Sequence, residues 1–169
     1  MIVEAVFEER YWYPDDGAIV WLSGYQLVDE GGRYLARDAP QLEERGLRVA
    51  PVAGAGRHHA EVLQSDAVGP GRPLVLRRDA SNEHDPNAVA VHTSAGEQLG
   101  FVPRELALQI AAELDRGTDW SALSLRESRR SPRDPRGGLT MLLARAGALE
   151  LREVPRSPPD RPRRGHRTG

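Results

Sequence analysis

The sequence has no cysteine and no lysine: all 23 basic residues are arginine. The first absence excludes a disulfide framework, a thiolate zinc site and a cysteine nucleophile. The second excludes a P-loop lysine and a Schiff-base lysine, and with them P-loop ATPases and lysine-dependent catalysis. No apolar run approaches the ~20 residues that a membrane helix requires. The start, "MIVEAVFEER", is acidic and does not read as a signal peptide, so a cytoplasmic location is expected. No repeat is visible at the period of a solenoid or propeller.

What is present is unevenly distributed. Residues 1–46 hold 4 arginines against 10 acidic residues, whereas residues 118–169 hold 12 against 6. The basic end either solvates or attracts the acidic one, or serves as a handle for a polyanion. Seven of the nine aromatics also lie in the first 46 residues: Phe7, Tyr11, Trp12, Tyr13, Trp21, Tyr25 and Tyr34. "MIVEAVF" and "AIVWL" read as strands, with "PDDG" and "DEGG" as turns, which predicts a small β-meander. Its aromatics are expected to build a core of their own or to dock on the next unit.

From Leu47 the pattern is regular. "LRVAPVAG", "PLVLRR", "AVAVH", "EQLGFV", "ALSLRES" and "LTMLLAR" are six strand candidates bounded by Gly, Pro, Asn and Asp. "PRELALQIAAELDRG" predicts a helix: Pro103 suits its first turn, Leu106, Ile110 and Leu114 fall four apart, and Gly117 ends it. The tail "RSPPDRPRRGHRTG" is Pro/Arg-rich and predicts disorder. These features predict a mostly β (α+β) fold, a small OB-like barrel with one or two helices. Three segments are expected: a β-rich extension (1–46), a barrel domain (47–151) and a basic tail (152–169).

The chemistry concentrates in "NEHDPNAV", Asn82–Val89, where a polar turn carrying a His-Asp pair runs into a strand. Turn chemistry alone explains it: Pro86 fixes one backbone angle, and Asp85 and Asn87 can bond neighbouring amides. The wider order is more specific: "VAGAGRHH", then "LVLRRDASNEHDPNAVAV", then "LGFVPRELA" into the helix. This order resembles the HIRAN domain, a small β-barrel module of SWI2/SNF2-type helicases and of short bacterial proteins. The resemblance spans roughly residues 47–145 and is strongest over 72–108.

The resemblance implies recognition of single-stranded DNA at a 3′ end, without cofactors and with no catalysis of its own. A helicase or nuclease partner would supply any further activity. It places Asp85 at a hydroxyl-binding position and Asn82 at a polar contact on the same loop. Arg57 and Arg104 fall at phosphate-holding positions. His58 and His84 stand where the family pattern has stacking tyrosines, and Phe101 where it has a histidine. A carboxylate would accept a hydrogen bond from a free 3′-hydroxyl and repel a phosphate in its place. Histidine offers a smaller stacking face than tyrosine and, as a residue type, gains charge near neutrality.

Two other classes fit some of the same residues. His58, His59, Glu61, His84 and Asp85 could form a zinc or manganese site of a metal-dependent hydrolase or nuclease, although no HExxH-type spacing is present. A Ser-His-Asp hydrolase lacks a G-x-S-x-G elbow. A protein-interaction module could use the aromatic N-terminal segment as its adhesive face.

Overall fold

The computed structural model describes residues 1–14 and 16–155; the tail expectation over 156–169 lies outside the described residues. Among the described residues, nine strands and four α-helices follow one another, with a 3-10 turn at Asp66–Val68 between the third helix and the fourth strand. They are β1 (Ile2–Trp12), β2 (Val20–Leu27), α1 (Pro40–Glu44), β3 (Leu47–Pro51), α2 (Ala55–His58), α3 (Ala60–Leu63), β4 (Pro73–Arg78), β5 (Val89–Thr93), β6 (Gln98–Phe101), α4 (Arg104–Asp115), β7 (Ser121–Arg129), β8 (Gly138–Ala144) and β9 (Glu150–Glu153). The fold is mostly β, as the sequence predicts. All six strand candidates after Leu47 are strands, and the anticipated helix is α4. Three further helices, each only about one turn long, have no counterpart among those expectations.

All nine strands belong to one sheet, ordered β6-β5-β4-β7-β2-β1-β9, with β8 on β7 and β3 on β8. The path β3-β8-β7-β4-β5-β6 curls back on itself without closing into a barrel. Its two ends meet through a single bridge, Ala53↔Phe101, with reciprocal backbone hydrogen bonds of 2.8 and 2.9 Å. The ladder does not extend because β3 ends at Pro51, which has no N–H to donate. Even the single bridge needs Gly100, since a Cβ there would lie 2.4 Å from the Ala53 carbonyl oxygen.

The N-terminal hairpin is part of the same sheet. β2 pairs antiparallel with β7 from Trp21↔Arg129 to Gly24↔Arg126, so the meander docks on the following unit. Gly24, at φ +146°, is required for this approach, because a Cβ would lie 2.4 Å from the Arg126 Cα. β9 then runs parallel to β1, from Ile2↔Glu150 to Ala5↔Glu153. This strand straddles the 151/152 boundary drawn from composition.

Two apolar clusters hold the sheet. One joins the curled side to α4 through Val52, Val89, Val91, Leu99, Ile110 and Met141. The other joins the hairpin to the opposite face through Val3, Leu27, Leu47, Leu125 and Leu142. The aromatics only partly serve them. Phe7–Tyr25 and Tyr11–Trp21 make edge-on pairs at 5.3 and 5.0 Å, while Phe7, Tyr11, Trp12, Tyr13 and Tyr34 stay 41–69% exposed. No helix among the described residues is long and apolar enough to cross a membrane.

Candidate nucleic-acid interface

The β4–β5 loop is built from its own side chains. The Asn82 side-chain oxygen accepts hydrogen bonds from the His84 and Asp85 backbone N–H groups at 2.9 and 3.0 Å. Its amide nitrogen donates to Asp79 at 3.1 Å. The Asp85 Oδ1 accepts from the Asn87 N–H at 2.8 Å, and the Asp85 carbonyl accepts from Ala88 at 3.1 Å. These are the Asx-type bonds that a polar turn of this composition favours. They fix the orientation of the Asp85 carboxylate.

Arg78, at the end of β4, ties this loop to the helix. Its guanidinium donates to the Ala88 and Pro86 carbonyls at 2.8 and 3.1 Å, and to both Asp115 oxygens at 3.0 and 3.3 Å. Sequence reasoning does not single out this residue. The available signal is modest: an arginine at the last position of a strand, against an acidic turn.

The loop, α2, the end of β6 and the start of α4 line an open cavity of about 350 Å³. Six of the sequence-predicted site residues line it: His58, Asn82, His84, Asp85, Phe101 and Arg104. The seventh, Arg57, lies on α2 beside His58, is exposed, and does not line the cavity. Ala53, Gly54, Ala88 and Val102 complete the wall. The cavity is therefore apolar along the β6 side and polar along the loop.

Its charges are arranged at the rim. Arg104 opens α4, and its Nε lies 3.8 Å from Asp85 Oδ2. The Arg104 side chain is 78% exposed against 19% for Asp85, so this ion pair contributes little to stability and leaves the guanidinium accessible. The first turn of α4 adds free backbone N–H groups that favour an anion nearby. A carboxylate oxygen with spare lone pairs, a cation beside it and an apolar wall can together accept a hydroxyl, a phosphate and a ring. Both histidines line the cavity and are exposed. The metal-centre alternative finds no support in the geometry: no three His, Asp or Glu side chains among the described residues are grouped to hold a metal ion.

The HIRAN domain family model matches residues 48–131. Residues 48–131 form a HIRAN domain. HIRAN domains are DNA-binding modules, and the matched segment runs from β3 into the β7–β8 loop, taking in the whole cavity. Among solved structures, the HIRAN domain of human HLTF is similar at 22% identity and a TM-score of 0.43, over 59% of this chain and 76% of that one. A protein from Lactobacillus plantarum is similar at 21% identity and a TM-score of 0.40, over 59% of this chain and 97% of that one. No curated protein matches the chain.

Proposed function

We propose that this HIRAN protein binds single-stranded DNA and takes a 3′ end into the cavity between the β4–β5 loop and α4. It acts as a binding module with no catalysis of its own, and a helicase or nuclease partner supplies any motor or cleavage step. The observation that supports this most directly is the convergence of His58, Asn82, His84, Asp85, Phe101 and Arg104 on one cavity.

Within this reading Asp85 accepts the terminal hydroxyl through Oδ2, the oxygen not engaged by Asn87. A phosphate at that position would face the carboxylate and be repelled. Arg104 and Arg57 hold backbone phosphates. Bases lie against Phe101 and between the two histidines.

The test is fluorescence anisotropy with a short oligonucleotide ending in a 3′-hydroxyl or a 3′-phosphate. The 3′-hydroxyl form is expected to bind more tightly. Asp85→Asn, which keeps an acceptor for the Asn87 N–H but removes the charge that repels a phosphate and strengthens the hydroxyl contact, should reduce that preference about tenfold or more. Equal affinity of the unmodified protein for both ends would remove the end-binding role.

A further inference from the structure

The basic C-terminal segment holds a second group of arginines on β7 and in the β7–β8 loop, residues 130–137, and the fold separates them into two kinds. Arg126, Arg129 and Arg136 are engaged within the molecule. Arg126 donates to the Tyr25 carbonyl at 2.9 Å, and burial, together with nearby Arg37 and Arg10, pulls its guanidinium down to about 10. Arg129 donates to the Asp134 carbonyl at 2.8 Å and to Glu127 at 3.2 Å. Arg136 pairs with Glu127 and donates to the Leu63 and Ser65 carbonyls at 3.1 and 2.7 Å. By contrast, Arg130 and Arg133 are exposed, and their side chains have no partner among the described residues.

The loop that presents them is rigid and sits against the cavity wall. Gln64 exchanges two hydrogen bonds with the Arg136 backbone, at 2.9 and 2.8 Å. Pro132 and Pro135 restrict the backbone between them. A Cβ added to Gly56 would lie 3.4 Å from the Gly137 carbonyl, so α2 and this loop touch backbone to backbone. α2 also carries His58 into the cavity and Arg57 on its exposed surface. The nearby acids do not cancel the charge: two guanidiniums occupy Glu127, and Asp134 is the loop's one acidic residue.

We propose that Arg130 and Arg133 form a second phosphate-binding segment, so that a strand held in the cavity runs past Arg57 and over the β7–β8 loop. This rests on the single-strand reading above and extends it from a terminal site to a track along the backbone of single-stranded nucleic acid. Cations carried on a loop whose backbone is already held suit phosphates because little loop ordering remains to be done on binding. Most of the loop lies beyond the segment matched by the family model, which ends at residue 131.

The full chain is titrated with 3′-hydroxyl oligothymidylates of about four and about twelve nucleotides, lengths that bracket one small binding module. The unmodified protein should bind the longer one at least about tenfold more tightly at ~50 mM salt. In Arg130→Ala/Arg133→Ala that advantage should largely vanish, and the salt slope for the long oligonucleotide should fall by about 1.4, two single-strand phosphate contacts. Affinity for the short one should not change, and Arg130→Lys/Arg133→Lys should restore most of the gain. If the alanine variant keeps the full length advantage, or if the unmodified protein binds both lengths equally, the track is overturned while the cavity reading stands. Failure to bind either length would overturn both.

Discussion

Two polar connections of the molecule, β4–β5 and β7–β8, are both fixed by side-chain to backbone hydrogen bonds, but with opposite chemistry. In the β4–β5 loop side-chain oxygens satisfy backbone N–H groups: Asn82 takes those of His84 and Asp85, and Asp85 takes that of Asn87. In the β7–β8 loop guanidiniums satisfy backbone carbonyls: Arg129 takes that of Asp134, and Arg136 takes those of Leu63 and Ser65. What each loop presents is what its internal bonding leaves over. The first leaves a carboxylate oxygen on Asp85, and the second leaves the cations of Arg130 and Arg133. The sign of a surface is thus set less by composition than by which groups the backbone has already engaged.

The sharpest way to break the comparison is to remove the anchor of the cationic loop. Arg136 and Glu127 are both about nine-tenths buried, so Arg136→Ala leaves the Glu127 carboxylate with Arg129 alone and frees two carbonyls. A loss of about 3 kcal/mol is expected in urea unfolding, from buried polar groups left unmatched. Arg130→Ala in the same loop should stay within about 0.5 kcal/mol, as an exposed and unpartnered site does. Equal losses for the two variants would mean that the loop does not sort its arginines as described.

The corresponding break in the anionic loop is Asn82→Ala. It removes the acceptor of two N–H groups, and because the loop is partly exposed water recovers some of the cost. About 1–2 kcal/mol of stability should be lost. Affinity for a 3′-hydroxyl oligonucleotide should fall by more than this small loss of fold explains, because Asp85 is no longer aimed. Unaltered affinity would show that the loop backbone alone positions the carboxylate.

Much of this organisation is legible in the sequence where its causes are local. Alternating apolar runs bounded by Gly, Pro and Asn mark the strands from β3 to β8, and the four-residue spacing of Leu106, Ile110 and Leu114 marks α4. Asn82, His84 and Asp85 stand out as candidates because they fall within one turn. What is not legible depends on distant partners. Arg78 acquires its role from carbonyls across the loop and from Asp115 on α4, and β2 finds β7 only because Gly24 allows the contact. Arg57 shows the limit of adjacency. Successive helical side chains point about 100° apart, so His58 lines the cavity and its neighbour does not.

The smallest expected effect sharpens the comparison on the cavity side, and it concerns the histidines that line the cavity with Asp85. His58 and His84 are exposed, and neither side chain has a partner among the described residues, so a larger ring meets little resistance. Stability of His58→Tyr/His84→Tyr should change by no more than about 0.5 kcal/mol. Aromatic platforms contribute about 1–3 kcal/mol per base, and the histidine ring, being smaller, should realise the low end of that range. The double variant should therefore bind a short 3′-hydroxyl oligonucleotide a few-fold more tightly. The gain should disappear when the terminal nucleotides are abasic, because only a base can stack, whereas the phosphate contacts proposed for Arg104 do not depend on the base. A variant that gains equally on abasic DNA would place the tyrosines against the sugar-phosphate backbone. A variant that loses binding altogether would show that the imidazole nitrogens themselves make the contact, and that the cavity reads its ligand by hydrogen bonds on both sides of Asp85.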